Sequence, residues 1–135
     1  MTAANVLKFM KEKEVEFVDL RFSDPRGKLQ HLTMDHTIVD EEMLNEGVFF
    51  DGSSIAGWKA INESDMILKP DTSRLVMDPF TSHNTLILFC DILDAVKRSP
   101  YERDPRGTAK KALSPTPDFF KYSSAFLAIP LGSLS

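Results

Sequence analysis

The chain has 135 residues, 42% of them hydrophobic and 27% charged, which suits one globular domain and excludes disorder throughout. Its 20 acids against 16 bases give a net charge of −4, and no dense Lys/Arg cluster is interleaved with aromatics, so nucleic acid is not an expected partner. No apolar run approaches the ~20 residues of a membrane span, the N-terminus is too charged for a secretory signal, and the single Cys90 cannot form an internal disulfide; the expected compartment is a reducing cytoplasm, with no membrane partner.

Val6, Leu7, Phe9 and Met10 recur at helical spacing and predict a short amphipathic helix ending near Lys13. From Val15 to Phe22 the pattern becomes an alternation of β-formers, with Val18, Leu20 and Phe22 on one face. Asp24-Pro25-Arg26-Gly27 supplies turn chemistry before a second strand, Lys28 to Met34, so the two form a β-hairpin. Asp40 is placed to cap a second helix over Val39 to Glu46, with Glu41 and Glu42 in its electropositive first turn and Gly47 to end it. A loop around Asp51 follows. Three strands are expected next: Asp65 to Lys69, ended by Pro70; Arg74 to Met77; and the β-branched run Thr85 to Ile92, the best core strand. Asp104-Pro105 then gives a cap followed by proline at the first helical position, and the helix continues through Thr108 to Leu113. This order predicts an α+β fold, a sheet with a helix packed on it and helices at both ends, for which a β-grasp arrangement fits. After Leu113 the composition shifts: residues 114–135 carry only Asp118 and Lys121 as charges, Ser114-Pro115 and Thr116-Pro117 break helical register, and a poorly ordered tail is expected.

The segment Phe49-Phe50-Asp51-Gly52-Ser53-Ser54-Ile55-Ala56-Gly57-Trp58 holds the most informative side chains. Glycines let the backbone turn, the aromatics are expected to anchor the loop's ends, and Asp51 is left facing outward where it could meet a cation. An Asp-Gly-Ser-Ser run is also an ordinary turn, its carboxylate bonding nearby amides, so the run alone decides nothing. The three histidines, His31, His36 and His83, neither pair at i,i+4 nor stand beside cysteine, and there is no GxxxxGK(S/T) phosphate loop, so neither metal nor nucleotide ligands are expected. Cys90 reads as a buried core thiol, and Arg103 and Arg106 beside Asp104 as capping and ion-pairing groups rather than a phosphate site.

With those residues in view, the chain resembles the N-terminal domain of bacterial type I glutamine synthetase over about residues 6–113. The likeness is carried by EVEFVDLRFSDPRGKLQH, FFDGSSIAGWKAINESDMILKPD, the Asp78-Pro79-Phe80 step, LILFCDIL and YERDPRGTAKKAL, in that order. The resemblance implies a β-grasp domain over residues 1–103, the start at 104–113 of a helix leading to a catalytic domain, and a divergent tail at 114–135. It implies the ATP-dependent joining of ammonia to glutamate through γ-glutamyl phosphate, with magnesium or manganese. Asp51 resembles the family's ammonium-binding and deprotonating acid, Ser54 its hydroxyl partner and Asp65 a second acid close by, while Trp58 lies in the same loop and reads equally well as an apolar anchor. The implied partners are ammonium and other subunits of a double-ring dodecamer, in which this domain closes a neighbour's active site. ATP, metal and glutamate ligands are expected on the catalytic domain, so this chain alone is expected to be inactive. In the tail, Pro117-Asp118-Phe119-Phe120 falls too early to match the family's metal-binding run, a pattern that a shifted or prematurely ended reading frame would give. The competing readings are an inactive β-grasp interaction module, or truncated partner subunit, and a piece of a related γ-glutamyl-amine ligase.

Overall fold

The computed structural model describes residues 2–24, 26–52, 65–102 and 104–113. Helix α1 (Ala3–Glu12) begins where the Thr2 hydroxyl accepts the Asn5 amide, and its apolar stripe buries Ala3, Val6 and Met10. Strands β1 (Phe17–Ser23) and β2 (Leu29–Asp35) form the expected antiparallel hairpin. Its turn is held by Asp24 Oδ1, which accepts the amides of Arg26 and Lys28, both at 2.9 Å, and by Gly27 at φ 83°.

A single 3₁₀ turn (His36–Ile38), capped by Asp35, leads to α2 (Glu41–Glu46). Asp40 Oδ1 accepts the Met43 amide at 2.8 Å, and Gly47 ends the helix at φ 88°. The next strands are β3 (Val48–Asp51), β4 (Asp65–Pro70), β5 (Val76–Met77) and β6 (Thr85–Asp94), and α3 (Pro105–Leu113) follows. Two expectations need correction here. Val48–Asp51 is a strand rather than part of a loop, because Phe50 turns inward to the core while Phe49 points out and is 63% exposed, so Phe50 and not Phe49 is the buried anchor. Arg74 and Leu75 lie outside the short β5.

The strand order is β2-β1-β6-β4-β3, with β5 beside β6. The central pair, β1 and β6, is parallel and every other pairing is antiparallel. β6 is long enough to serve three neighbours: Thr85–Phe89 meets β1, Leu86 and Ile87 also meet β5, and Cys90–Asp94 meets β4. Alternation then sorts the side chains. Val18, Leu20, Phe22, Met66, Leu68, Leu86, Leu88, Cys90 and Ile92 form one core with α1 and α2. On the opposite face, Ile67 and Ile87 are buried apart from that core, and α3 packs there on β1 and β6.

Candidate functional site

The candidate acids are brought together by the β3–β4 hairpin. Asp51 closes β3, Asp65 opens β4, and the two are direct cross-strand partners. Both are exposed. Residues directly opposite in an antiparallel pair share a face, with Cβ atoms ~4.5–5.5 Å apart. The register thus places two acids side by side at the end of the strand pair.

That hairpin is fixed from behind. Phe50, one residue before Asp51, stacks at 5.4 Å on Phe22 of β1, and its register partner Met66 is fully buried. Gly47 sets the approach of β3: a Cβ there would lie 2.6 Å from both the Leu68 carbonyl oxygen and Ile67 Cγ2. On the far side, β4 pairs with β6 from Met66↔Asp94 to Pro70↔Cys90, so Asp65 extends from a strand buried in the sheet. Ser54, Trp58 and Arg103, singled out in the sequence, lie outside the described residues.

Two polar clusters on the outer face were not anticipated in detail. Asp19 Oδ1 accepts from Thr33 Oγ1 and lies 2.9 Å from His31 Nδ1, while its Oδ2 accepts from Arg21 Nε, which reaches on to Asp78. Burial pushes the Asp19 carboxyl up, but the hydrogen bonds from Arg21, His31 and Thr33 outweigh it and hold the group below the usual carboxylate range. In the second cluster Arg106 of α3 binds Asp71 and Asp91, and Lys110 adds a bond of 2.8 Å to Asp91. Asp71 is likewise raised by burial and lowered further by Ser73 and Arg106, ending well below its ordinary value. Asp104 caps α3 and also accepts the Ile92 amide; burial raises its carboxyl despite three backbone donors. The sequence signal for both clusters was alternation, which puts Asp19, Arg21 and Asp91 on the face away from the core.

Cys90 is buried, as expected, and burial pushes its thiol up. His31 sits on the edge strand, His36 in the 3₁₀ turn, and His83 edge-on to Phe17. Among the described residues, no three His, Cys, Asp or Glu converge to hold a metal ion. Among the same residues, no helix is long and apolar enough to cross a membrane.

A parallel β1–β6 pair flanked by antiparallel strands, with helices packed on the sheet, defines an α+β domain of the β-grasp class. The sequence profile of the family described as "Glutamine synthetase, beta-Grasp domain" matches residues 14–95, and the chain belongs to that family. It is 66% identical over 113 residues to a glutamine synthetase of Rhizobium meliloti (strain 1021), covering 83% of this chain and 24% of the relative. A Vibrio cholerae glutamine synthetase is 44% identical over 142 aligned positions, covering 95% of this chain and 30% of that protein. That alignment extends past Leu113, and its length exceeds the 135 residues of the chain, so following it requires gaps here. The chain thus spans about a quarter of the length of the curated relatives it matches. Among solved structures, a Plasmodium falciparum glutamine synthetase shares the fold with a TM-score of 0.75 at 24% identity, covering 83% of this chain and 22% of that one.

Proposed function

We propose that this chain is the N-terminal β-grasp portion of a glutamine synthetase and supplies an ammonium-binding loop to the active site of a neighbouring subunit. Residues 1–103 make the domain in this reading, and 104–113 begin the helix toward a catalytic domain. The observation that carries it is the Asp51↔Asp65 register pair, two exposed carboxylates held opposite one another at the mouth of a well-packed hairpin.

Ammonium has four N–H donors and no lone pair, so its nitrogen can attack an acyl phosphate only after losing a proton. A fixed carboxylate draws the cation in through a charge-assisted hydrogen bond and then accepts a proton. An ordinary Asp, with a pKa of about 3.9, is a weak base toward free ammonium. It takes the first proton uphill, and the acyl phosphate draws that equilibrium forward by trapping the free ammonia; the second proton, acidified as the carbon–nitrogen bond forms, leaves with the departing phosphate. Asp51 takes the role of that base, Asp65 adds negative charge across the hairpin, and Ser54 is its hydroxyl partner.

ATP with magnesium or manganese supplies the phosphoryl chemistry of the complete enzyme. Among the described residues no three metal-ligating side chains converge, and none is assigned to the metal or to ATP. The partners are then ammonium and other glutamine synthetase subunits, assembled as the family's double-ring dodecamer in a cytoplasmic setting. A biosynthetic assay on the purified chain, alone and mixed with a separately expressed catalytic domain, tests the shared site. No turnover is expected from the chain alone, and turnover in the mixture should vanish with Asp51→Asn. Glutamine formation by the isolated chain that Asp51→Asn abolishes would sink the reading.

A further inference from the structure

The sheet ends in two unlike edges. β3 is four residues long and terminates in Asp51, whereas β2 is seven residues long and its stretch Leu29–Met34 contains no Lys, Arg, Asp, Glu, Pro or Gly. Protein sheets normally blunt such an edge with charge, proline or a bulge, because its unpaired main-chain groups are a template for another strand. Among the described residues β2 pairs only with β1, and Leu29 and Leu32 on it are 52% and 40% exposed.

The direction of the unpaired groups follows from the hairpin. Asp24 N donates to Lys28 O and His36 N donates to Glu16 O, which continues the β1–β2 register at both ends. The even-numbered residues of β2 therefore aim their main-chain groups at β1, while Leu29, His31, Thr33 and Asp35 aim theirs outward. The ends of the strand are oppositely charged, with Arg26 and Lys28 before it and Asp35 closing it. An identical strand running antiparallel sets each cationic end beside the other's acidic end, whereas a parallel mate sets like against like.

We propose that β2 pairs antiparallel with β2 of a second copy of this chain, about a two-fold axis through Leu32, so that two sheets become one. A two-fold perpendicular to the sheet passes through a residue, and the two residues nearest the middle of the uncharged stretch Leu29–Met34 are His31 and Leu32. The His31 axis opposes two imidazoles and seats Lys28 on Met34. The Leu32 axis sets Leu32 against its own copy and Gln30 against Met34 of the second copy, with the outward groups of His31 and Thr33 bonding each other. This contact is isologous and closes at a dimer, so it differs from the head-to-tail contact of a ring. One short edge buries far less than a standard interface, so the dimer is weak.

Sedimentation of the full chain from about 10 µM to about 1 mM should show a monomer–dimer equilibrium. Leu32→Lys and Leu32→Glu should each stay monomeric across that range, and an equimolar mixture of the two should dimerise again, because the opposed like charges become an ion pair. Independently, Leu32→Cys should oxidise to a covalent dimer: non-hydrogen-bonded partners lie ~4.5 Å apart at Cα, within the range a disulfide spans. Cys90 is buried and does not compete. A wild-type chain that remains monomeric at the highest concentration, with an edge covered by its own residues 114–135 or by nothing, overturns the proposal. So does dimerisation that both charged variants leave intact, or a Leu32→Cys chain that does not cross-link.

Discussion

Replacing Gly47 by alanine tests the joint between α2 and the strand that carries Asp51. Gly47 has φ 88° and ψ −177°, a region populated almost solely by glycine, so any side chain costs about 1–3 kcal/mol in backbone strain. The added Cβ would also lie 2.6 Å from the Leu68 carbonyl oxygen and 2.6 Å from Ile67 Cγ2. Neither neighbour yields cheaply, since one is sheet backbone and the other a buried β-branched side chain, which adds about 1–3 kcal/mol of overpacking. The sum is roughly 2–6 kcal/mol, a large share of the ~5–15 kcal/mol that holds a domain folded. At about 4–8 °C per kcal/mol, the melting temperature should fall by at least about 8 °C. Gly27→Ala is the control: φ is 83° there too, but nothing lies within 4 Å of the added Cβ, so only strain applies. Urea and thermal unfolding by circular dichroism measure both variants. Gly47→Ala within about 0.5 kcal/mol of wild type, or no worse than Gly27→Ala, would refute the reasoning.

Arg106→Ala should cost about 1–3 kcal/mol, because it leaves Asp71 and Asp91 facing each other half-buried, and amide exchange should accelerate in α3 before the central strands. Acid should unfold the chain from about pH 4 downward. Asp19 and Asp71 have folded pKa values below their unfolded ones, so their stabilisation is complete above the unfolded value and is lost as pH falls through the folded one; Asp104, raised by burial, works in the opposite sense. A urea midpoint unchanged between pH 6 and pH 3 contradicts this. Cys90 should react with a thiol reagent only at the rate of unfolding, since burial both shields the sulfur and disfavours the thiolate; fast labelling of the folded chain would be the opposite result.

Local chemistry was legible wherever one residue type answers one backbone need. Asp40 and Gly47 bracket α2, Asp24 and Gly27 make the hairpin turn, and Asp104 caps α3 in the structure as their positions in the sequence suggest. β3 was missed because Val48-Phe49-Phe50-Asp51 is short, and its apolar residues do not all face inward: Phe50 joins the core while Phe49 is exposed. The parallel pairing of β1 with β6 was not legible, as alternation fixes which face a residue takes but not which strand lies beside it; the family resemblance implied only a β-grasp domain. Asp51 and Asp65 were each legible as acids near a loop. Their direct opposition follows from the register of a strand that the sequence pattern did not reveal. The Arg106, Asp71, Asp91 and Lys110 cluster joins residues up to 39 positions apart, and pairwise charge patterns carry no signal over that separation.

The role of Asp51 can be measured in a chimera in which residues 1–113 of this chain replace the matching part of the Rhizobium meliloti relative, to which it is 66% identical. Steady-state kinetics would compare the chimera with its Asp51→Asn variant, varying ammonium, glutamate and ATP in turn. If Asp51 binds and deprotonates ammonium, kcat/KM for ammonium should fall by about 100-fold or more while the KM for ATP stays in place. An Asp51→Asn chimera that uses ammonium as well as its parent, or one that loses ATP affinity instead, would contradict the account.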